Sequence, residues 1–557
     1  MAAAAGMSSL AGKGLPALPM TEAPPAFNFE NAIGSSGISF VLDNSWSTRR
    51  YQVETMAGGV GLFDYNNDGL LDIYFANGAQ LPSMSKTDPR FYNRLYRNNG
   101  NGTFTDVTTE AGVEGKHYAI GVAAADYDND GYQDLFVSGA NGYQLFHNNG
   151  NGTFSDVTEK AGLLRVHPEL AGTFSAAAGW FDYDNDGFLD LIVINYLKWS
   201  AQSDVTCMNS GVSAYCSPNS YEGVPSLLFH NNGDGTFTDV SESSGIFKHI
   251  GKGMGVAFAD YDGDGFMDIF VSNDTLRNFL YHNNGDGSFT EVGILGGVSY
   301  NQDGKSVAGM GVDFRDLDND GLPDIFETDM FGDSFLLFRN AGKGLFEDIS
   351  QTSHITSGSL RITGWGTGIY DLDNDGWKDI FTSNCAILDN SEVLDHLPYK
   401  QQNSLFRNNC NRTFTDVAAQ AGSGFRAPAA HRGAAFGDID NDGRVDIVVS
   451  CLNERPELLM NRSPRKHNWI ILELEGTRSN RDGLGARVAL TTASGVQHNH
   501  ATTSVGYGSS SDKRVHFGLG ADKKIDKIEI IWPSGIRQSL GNTPVNQILK
   551  IQEPRGK

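Results

Sequence analysis

Cysteine is scarce, five in 557 residues, so a dense disulfide framework of the kind that holds small secreted domains together is excluded. Lys and Arg number 42 against 67 Asp and Glu, a formal net charge of −25. Without a basic excess there is no stripe to neutralise phosphates, and nucleic acid is excluded as a partner. No apolar run approaches the ~18–20 residues of a membrane-spanning helix, so the chain reads as soluble. Catalytic fingerprints are also missing: no nucleophile elbow, P-loop, H-E-x-x-H or dinucleotide-binding glycine pattern occurs. Residues 1–26 show no basic start followed by a ~7–15-residue apolar core. They read as a leader or expression remnant without structure.

Glycine, by contrast, is abundant, 67 residues, or about 12% where ~7% is usual. The chain is too long for one core, which stops growing near ~250–300 residues. Apolar residues at 39% and aromatics at 11% are enough to fold, so tight turns and a repeat architecture are expected. The acid charge is local. One nonapeptide recurs seven times at spacings of 55 to 78 residues, as DYNNDGLLD, DYDNDGYQD, DYDNDGFLD, DYDGDGFMD, DLDNDGLPD, DLDNDGWKD and DIDNDGRVD. Its first, third, fifth and ninth positions are Asp64, Asn66, Asp68 and Asp72; Asp126, Asp128, Asp130 and Asp134; Asp182, Asp184, Asp186 and Asp190; Asp260, Asp262, Asp264 and Asp268. The last three copies supply Asp316, Asp318, Asp320 and Asp324; Asp371, Asp373, Asp375 and Asp379; Asp438, Asp440, Asp442 and Asp446. These loops hold 27 of the 67 acidic residues, leaving 40 acids against 42 bases elsewhere.

The pattern fits Ca²⁺, a hard cation that takes 6–8 oxygen ligands, several of them anionic. Positions 1, 3 and 5 can turn carboxylates inward, the sixth-position glycine permits the bend, and the ninth-position Asp closes the shell. A plain Asp/Asn/Gly turn explains one copy but not seven. An EF-hand needs Glu at position 12 between helices; only Glu327 fits, and the loops run straight into strands such as DIYFAN. The expectation is up to seven Ca²⁺ ions, mainly structural.

Around each loop the sequence alternates as β-strands. A small-residue strand such as Gly59–Phe63 precedes it, a second strand follows, then a third (LYRNN at Leu95, LFHNN at Leu145 and Leu228), a glycine-rich turn and a fourth (TFTDVT). Four antiparallel strands per ~60 residues describe a propeller blade. Only six fourth strands follow Leu95. The seventh is Phe27–Ala32, which resembles TFTDVT and completes the last blade. The reading is all-β: a seven-bladed β-propeller over residues 27–463, then a small β-sandwich-like domain over 464–557.

The D-x-[DN]-x-D-G-x-x-D loops followed by N-G-[ND]-G-T-F resemble FG-GAP/VCBS repeats, which also form integrin α-subunit propellers. HNWIILELEGTRSNRDGLGARVAL from His467, VHFGLG at Val515 and IEIIWPSG at Ile528 resemble the ASPIC/UnbV domain of the cartilage acidic protein family. The segment Cys216-Ser217-Pro218 to Tyr221-Glu222-Gly223-Val224-Pro225 is similar to that family's pattern too. The resemblance implies a secreted or periplasmic Ca²⁺-binding protein.

Blade topology puts the cation loops on one face and every long insertion (residues 79–93, 195–226, 292–307 and 384–403) on the other. Function concentrates in loops on a rigid scaffold, so the insertion face is the expected working face. Glu54, His117, His249, Lys252, Trp365, His431 and Arg432 precede innermost strands and are expected around the channel mouth, as rim residues or as an acid–base or anion-binding set. Tyr196, Trp199, Tyr215 and Tyr221 read as loop packing. Two functions stand. One is a calcium-stabilised recognition module for a protein, glycan or small molecule. The other is an enzyme of hydrolase, lyase or cyclase type working in the funnel. Cys207 and Cys216 share one loop and can pair, which suits a secreted or periplasmic protein, with an intracellular one as the alternative because residues 1–26 carry no signal pattern; Cys385 and Cys410 fall on opposite faces, and Cys451 is left over.

Overall fold

The computed structural model describes residues 26–164 and 167–555; residues 1–25, on which the reading of a leader falls, lie outside the described residues. In all seven repeats the second strand begins on the ninth residue of the acidic motif: Asp72–Phe75, Asp134–Ala140, Asp190–Lys198, Asp268–Asn273, Asp324–Glu327, Asp379–Asn384 and Asp446–Cys451. The motif is therefore a tight connection between two antiparallel strands. Its sixth-position glycine adopts φ between +83° and +100° in every copy, a region that side-chain-bearing residues avoid. Each second strand then pairs with a third and each third with a fourth, as in Val60–Phe63, Asp72–Phe75, Arg94–Asn98 and Phe104–Asp106. A bridge between Phe174 and Ala140 joins the second and third units into one eight-stranded sheet.

The first strands pack against one another in a closed circuit. Val60–Phe63 touches Tyr118–Ala125, which touches Thr173–Phe181, and the contacts run on through Gly253–Ala259, Val312–Arg315, Gly364–Tyr370 and His431–Gly437 back to Val60–Phe63. The last unit takes its fourth strand from the other end of the chain: Phe29–Asn31 pairs antiparallel with Glu457–Asn461.

Neighbouring units are stitched by a repeated side chain. The third strand carries a buried asparagine, and its amide donates to the carbonyl of the residue after the first Asp in the preceding loop. Asn148 reaches Tyr65 at 2.8 Å, Asn231 reaches Tyr127 at 2.8 Å, Asn283 reaches Tyr183 at 2.8 Å, and Asn98 closes the circle on Ile439 at 3.0 Å. Asn340, Asn408 and Asn461 do the same. A second circle joins the loop tips, where the fourth-position asparagine donates to the next loop's glycine carbonyl, as from Asn67 to Gly131 and from Asn441 to Gly69. Gly263 stands at that position in the fourth loop and has no side chain to offer.

Residues after the ring form a three-stranded sheet (Val515–Gly520, Asn468–Glu475, Gln547–Gln552) and a four-stranded sheet (Gly495–His500, Arg487–Thr492, Lys524–Ile531, Arg537–Pro544). Ile470, Leu472, Val488, Ile528 and Trp532 fill the space between them. Among the described residues no helix is long and apolar enough to cross a membrane.

The asparagine stitching is testable in adjacent residues. Asn231→Ala removes a buried donor from two carbonyls, those of Tyr127 and Leu189, and leaves them unsatisfied, so a loss of about 1–3 kcal/mol is expected. Asn232→Ala removes only exposed hydroxyl contacts and is expected to stay within ~0.5 kcal/mol. Urea unfolding of both variants checks this; equal effects refute it.

Candidate cation loops and ligand-binding face

Each acidic loop is folded by its own backbone before any ion is considered. The first carboxylate accepts the glycine N–H, as Asp64 does from Gly69 at 2.7 Å and Asp438 from Gly443 at 2.7 Å. The fifth accepts the N–H two residues on, as Asp130 does from Tyr132 at 2.8 Å. The ninth is fully buried and accepts two: Asp190 takes the N–H of Tyr183 at 3.1 Å and that of Asn231 at 2.8 Å. The ninth-position Asp thus ties the loop to the third strand as well as facing it. Carboxylate oxygens of Asp126, Asp128 and Asp130, and of Asp182, Asp184 and Asp190, converge within 4.8 Å. Buried oxygens of Asp316, Asp318 and Asp373 have no hydrogen-bond partner. Such a donor set suits a hard divalent cation. Burial holds the Asp72, Asp324 and Asp446 carboxyls well above the usual carboxylate range, a penalty that a cation in the loop would offset.

The loops are not equivalent. In the second, third and fourth a histidine of the third strand faces the acids: His147 Nδ1 lies 3.2 Å from Asp128 and Asp134, and His230 and His282 are placed alike. The Asp190 contact raises His230 to about 9. In the fifth and sixth, arginines replace it. Arg339 meets Asp318 at 3.0 Å and Asp320 at 2.7 Å, and Arg407 meets Asp375 at 3.1 Å.

The C-terminal sheets cover this face. Arg487 contacts Asp260 at 2.6 Å, Asp482 accepts the Asp126 N–H at 2.9 Å, His467 bonds the Asp373 carbonyl at 2.8 Å, and Arg514 donates to the Asp438 carbonyl at 3.0 Å. Their connection between His500 and Val515 enters the channel. Backbone bonds tie it to the innermost strands at Leu62, Val122, Val312 and Phe436. Tyr507, at its tip, is fully buried; its hydroxyl donates to the Met56 carbonyl at 2.6 Å and its ring meets Trp365 edge-on at 5.1 Å. The glycines of the innermost strands make room for this plug: a Cβ on Gly59 would lie 2.4 Å from the Gly508 carbonyl oxygen. Those glycines were the sequence's trace of the plug, although they do not name what fills the channel.

The expected ring of channel-mouth residues is not assembled. Glu54, Lys252, Trp365, His431 and Arg432 are buried. Both Glu54 oxygens accept hydrogen bonds, from Ser47, Tyr51 and Tyr215. His431 bridges the Asn384 carbonyl and Glu457, each at 3.1 Å. Arg432 stacks 3.9 Å from the Trp365 ring centre and donates to the Thr55 carbonyl. Lys252 donates to the Pro218 carbonyl at 2.9 Å. His249 packs beside Tyr281, and His117 lies against Gly142. Core packing between units places the five buried residues, while His117 and His249 stay half-buried; a sequence position before a strand does not distinguish rim from core.

The insertion face instead carries two cavities. One of about 310 Å³ is lined by Glu54, Arg432, Tyr215, Tyr399 and Asp389. The larger, about 510 Å³, lies over Trp365, Met254 and Met310, with the Cys207–Cys216 disulfide loop along one side and Leu397 along another. Among the described residues Cys385, Cys410 and Cys451 are free thiols.

The FG-GAP-like repeat family matches residues 64–137, 126–193, 214–271, 264–327, 316–382 and 393–449, and the ASPIC and UnbV family matches 476–557. Cartilage acidic protein 1 of Homo sapiens is 26% identical over 529 residues, covering 89% of this chain and 72% of that protein. Its Xenopus tropicalis counterpart is 25% identical over 517 residues, covering 89% and 73%. Among solved structures, a rhamnogalacturonan lyase of Bacillus licheniformis aligns with a TM-score of 0.39 at 12% identity, covering 78% of this chain and 75% of that one.

Two stability experiments follow from the buried charges. His431→Ala together with Arg432→Ala strips a buried histidine–carboxylate contact and a stacked guanidinium, and a loss of about 3 kcal/mol or more is expected; an unchanged melting temperature would show that these residues are surface-like. Glu327 is fully buried, and burial raises its carboxyl to about 8 from 4.5. The folded chain therefore keeps a proton that the unfolded chain loses, so this residue's stabilisation is complete below about 4.5 and is lost as pH rises to about 8. Glu327→Gln is expected to flatten that fall in urea unfolding at pH 5 and pH 8; parallel pH profiles refute it.

Proposed function

Since this chain belongs to the cartilage acidic protein family, with FG-GAP-like repeats followed by an ASPIC and UnbV domain, we propose that it is a calcium-stabilised, seven-bladed propeller acting as an extracellular or periplasmic recognition module. Its ligand, in this reading, is held on the face opposite the cation loops. The observation that carries the proposal is the division of faces: the C-terminal sheets cover the loops and plug the channel, whereas the insertion face keeps an accessible cavity of about 510 Å³. Binding sites are concave, largely apolar and of about this size.

The residues proposed to hold Ca²⁺ are the first, third, fifth and ninth of each loop, Asp64, Asn66, Asp68 and Asp72 through Asp438, Asp440, Asp442 and Asp446. Their work is structural. An ion in the loop neutralises carboxylates that are buried next to one another, and it contributes no chemistry to the opposite face. The enzymatic reading has less to draw on: His117, His249, Lys252 and His431 line neither insertion-face cavity, and of the expected funnel residues Glu54 and Arg432 line the smaller and Trp365 the larger. The Cys207–Cys216 disulfide suits an oxidising compartment.

Calcium removal tests the proposal. An ion that binds only the folded chain stabilises by RT ln(1 + [L]/Kd), about 2.7 kcal/mol per site at a hundredfold excess over Kd. Excess chelator is therefore expected to lower the melting temperature by many degrees, and restored Ca²⁺ to recover it. The first loop, where Asn66 replaces an acid, is expected to empty first in a titration. An unchanged melting curve after verified metal loss overturns the structural role.

A further inference from the structure

The larger cavity on the insertion face has a one-sided chemistry. Met56, Met254, Met310 and Met330 line it together with Trp365 and Phe331. Methionine side chains are flexible and polarisable, and they adapt to irregular apolar shapes. The charges in the lining are two carboxylates, Asp274 and Asp395; no Lys, Arg or His lines it.

Asp274 is only 6% exposed. Its Oδ2 accepts the Tyr196 hydroxyl, and among the described residues none donates to its Oδ1. Lys252 acts on Asp274 through charge but spends its hydrogen bonds elsewhere, its ammonium held by the Pro218 carbonyl at 2.9 Å and Asn219 Oδ1 at 3.2 Å. Gln52, only 3% exposed, lines the same cavity and leaves its Oε1 without a partner. A buried amide oxygen without a donor, beside a carboxylate whose recorded donor serves only one of its two oxygens, leaves hydrogen bonds that a ligand donor would satisfy. A carboxylate ligand would meet Asp274 as a like charge. A neutral apolar ligand would leave both acceptors unpaired. An ammonium group supplies charge and donors together.

We propose that this cavity binds an organic ammonium, a compact apolar body among the methionines with its protonated amine on Asp274 Oδ1 and Gln52 Oε1. The proposal rests on the reading that the insertion face is the working face, and it narrows the ligand to one class.

The test uses the calcium-loaded full chain and three rigid probes of one shape: 1-adamantylmethylamine, 1-adamantylmethanol and 1-adamantanecarboxylate. Calorimetry at pH 7.5 is expected to give the amine an affinity at least tenfold above the alcohol, with no binding of the carboxylate. Asp274→Asn, isosteric and able to keep the Tyr196 hydrogen bond, is expected to remove that preference while changing alcohol affinity less than twofold. Met310→Trp, which fills the chamber, is expected to abolish binding of both. If the alcohol or the carboxylate binds as tightly as the amine, and Met310→Trp removes that binding, the ammonium assignment is overturned and the working face stands. If amine binding survives both substitutions, the site lies elsewhere and the face assignment falls with it. No binding of any probe to the folded chain overturns the ligand assignment.

Discussion

The last sheet of the circle reaches four strands only by borrowing one from the beginning of the chain. Here three residues, Phe29–Asn31, lie along Glu457–Asn461. Without that pairing the last unit would end on an open third strand, a template for joining another chain. Its anchorage is apolar: Phe27 and Phe29 are buried, and Phe29 meets Phe425 edge-on at 5.5 Å. Closing the circle at this point lets every other unit find a neighbour on both sides. The two asparagine circles, from third strand to preceding loop and from loop tip to loop tip, depend on that closure.

Closure also concentrates charge. Seven acidic loops on one face would repel one another if solvent alone screened them, and several of their carboxylates are out of solvent. The chain answers with basic side chains, His147, His230, His282, Arg339 and Arg407 from third strands, and with Arg487 from the C-terminal sheets. The covering sheets thus belong to the electrostatics of the face they sit on. Because their connecting segment also fills the channel, the ring is solid at its centre, and access is left to the insertion side.

The same packing explains why polar residues before the innermost strands became part of the core. His431, Arg432 and Glu54 lie where adjacent units and the plug converge, each with hydrogen-bond partners. Buried polar groups of this kind hold one arrangement in place because leaving any of them unpaired is expensive. The Arg432–Trp365–Tyr507 stack joins two first strands to the plug, linking the C-terminal sheets to the lining of the larger insertion-face cavity.

The sequence by itself determined the repeat, its strands and the clustering of its carboxylates. Each is a local property: period-2 alternation, glycine at a left-handed turn position, and carboxylates spaced to converge on one point. It also carried the asparagine of every third strand in plain view, though not its partner, which lies in another unit. Tertiary structure alone decided what fills the channel, which face is covered, and which polar residues meet solvent. Tyr507 is more than 400 residues from Met56 in the chain, and Asp274 meets Tyr196 across 78. Contacts at such separations follow from how the units pack, and no local pattern encodes them. The unpaired oxygen of Gln52 and the carboxylate of Asp274 share a cavity with the disulfide loop, although each comes from a different unit.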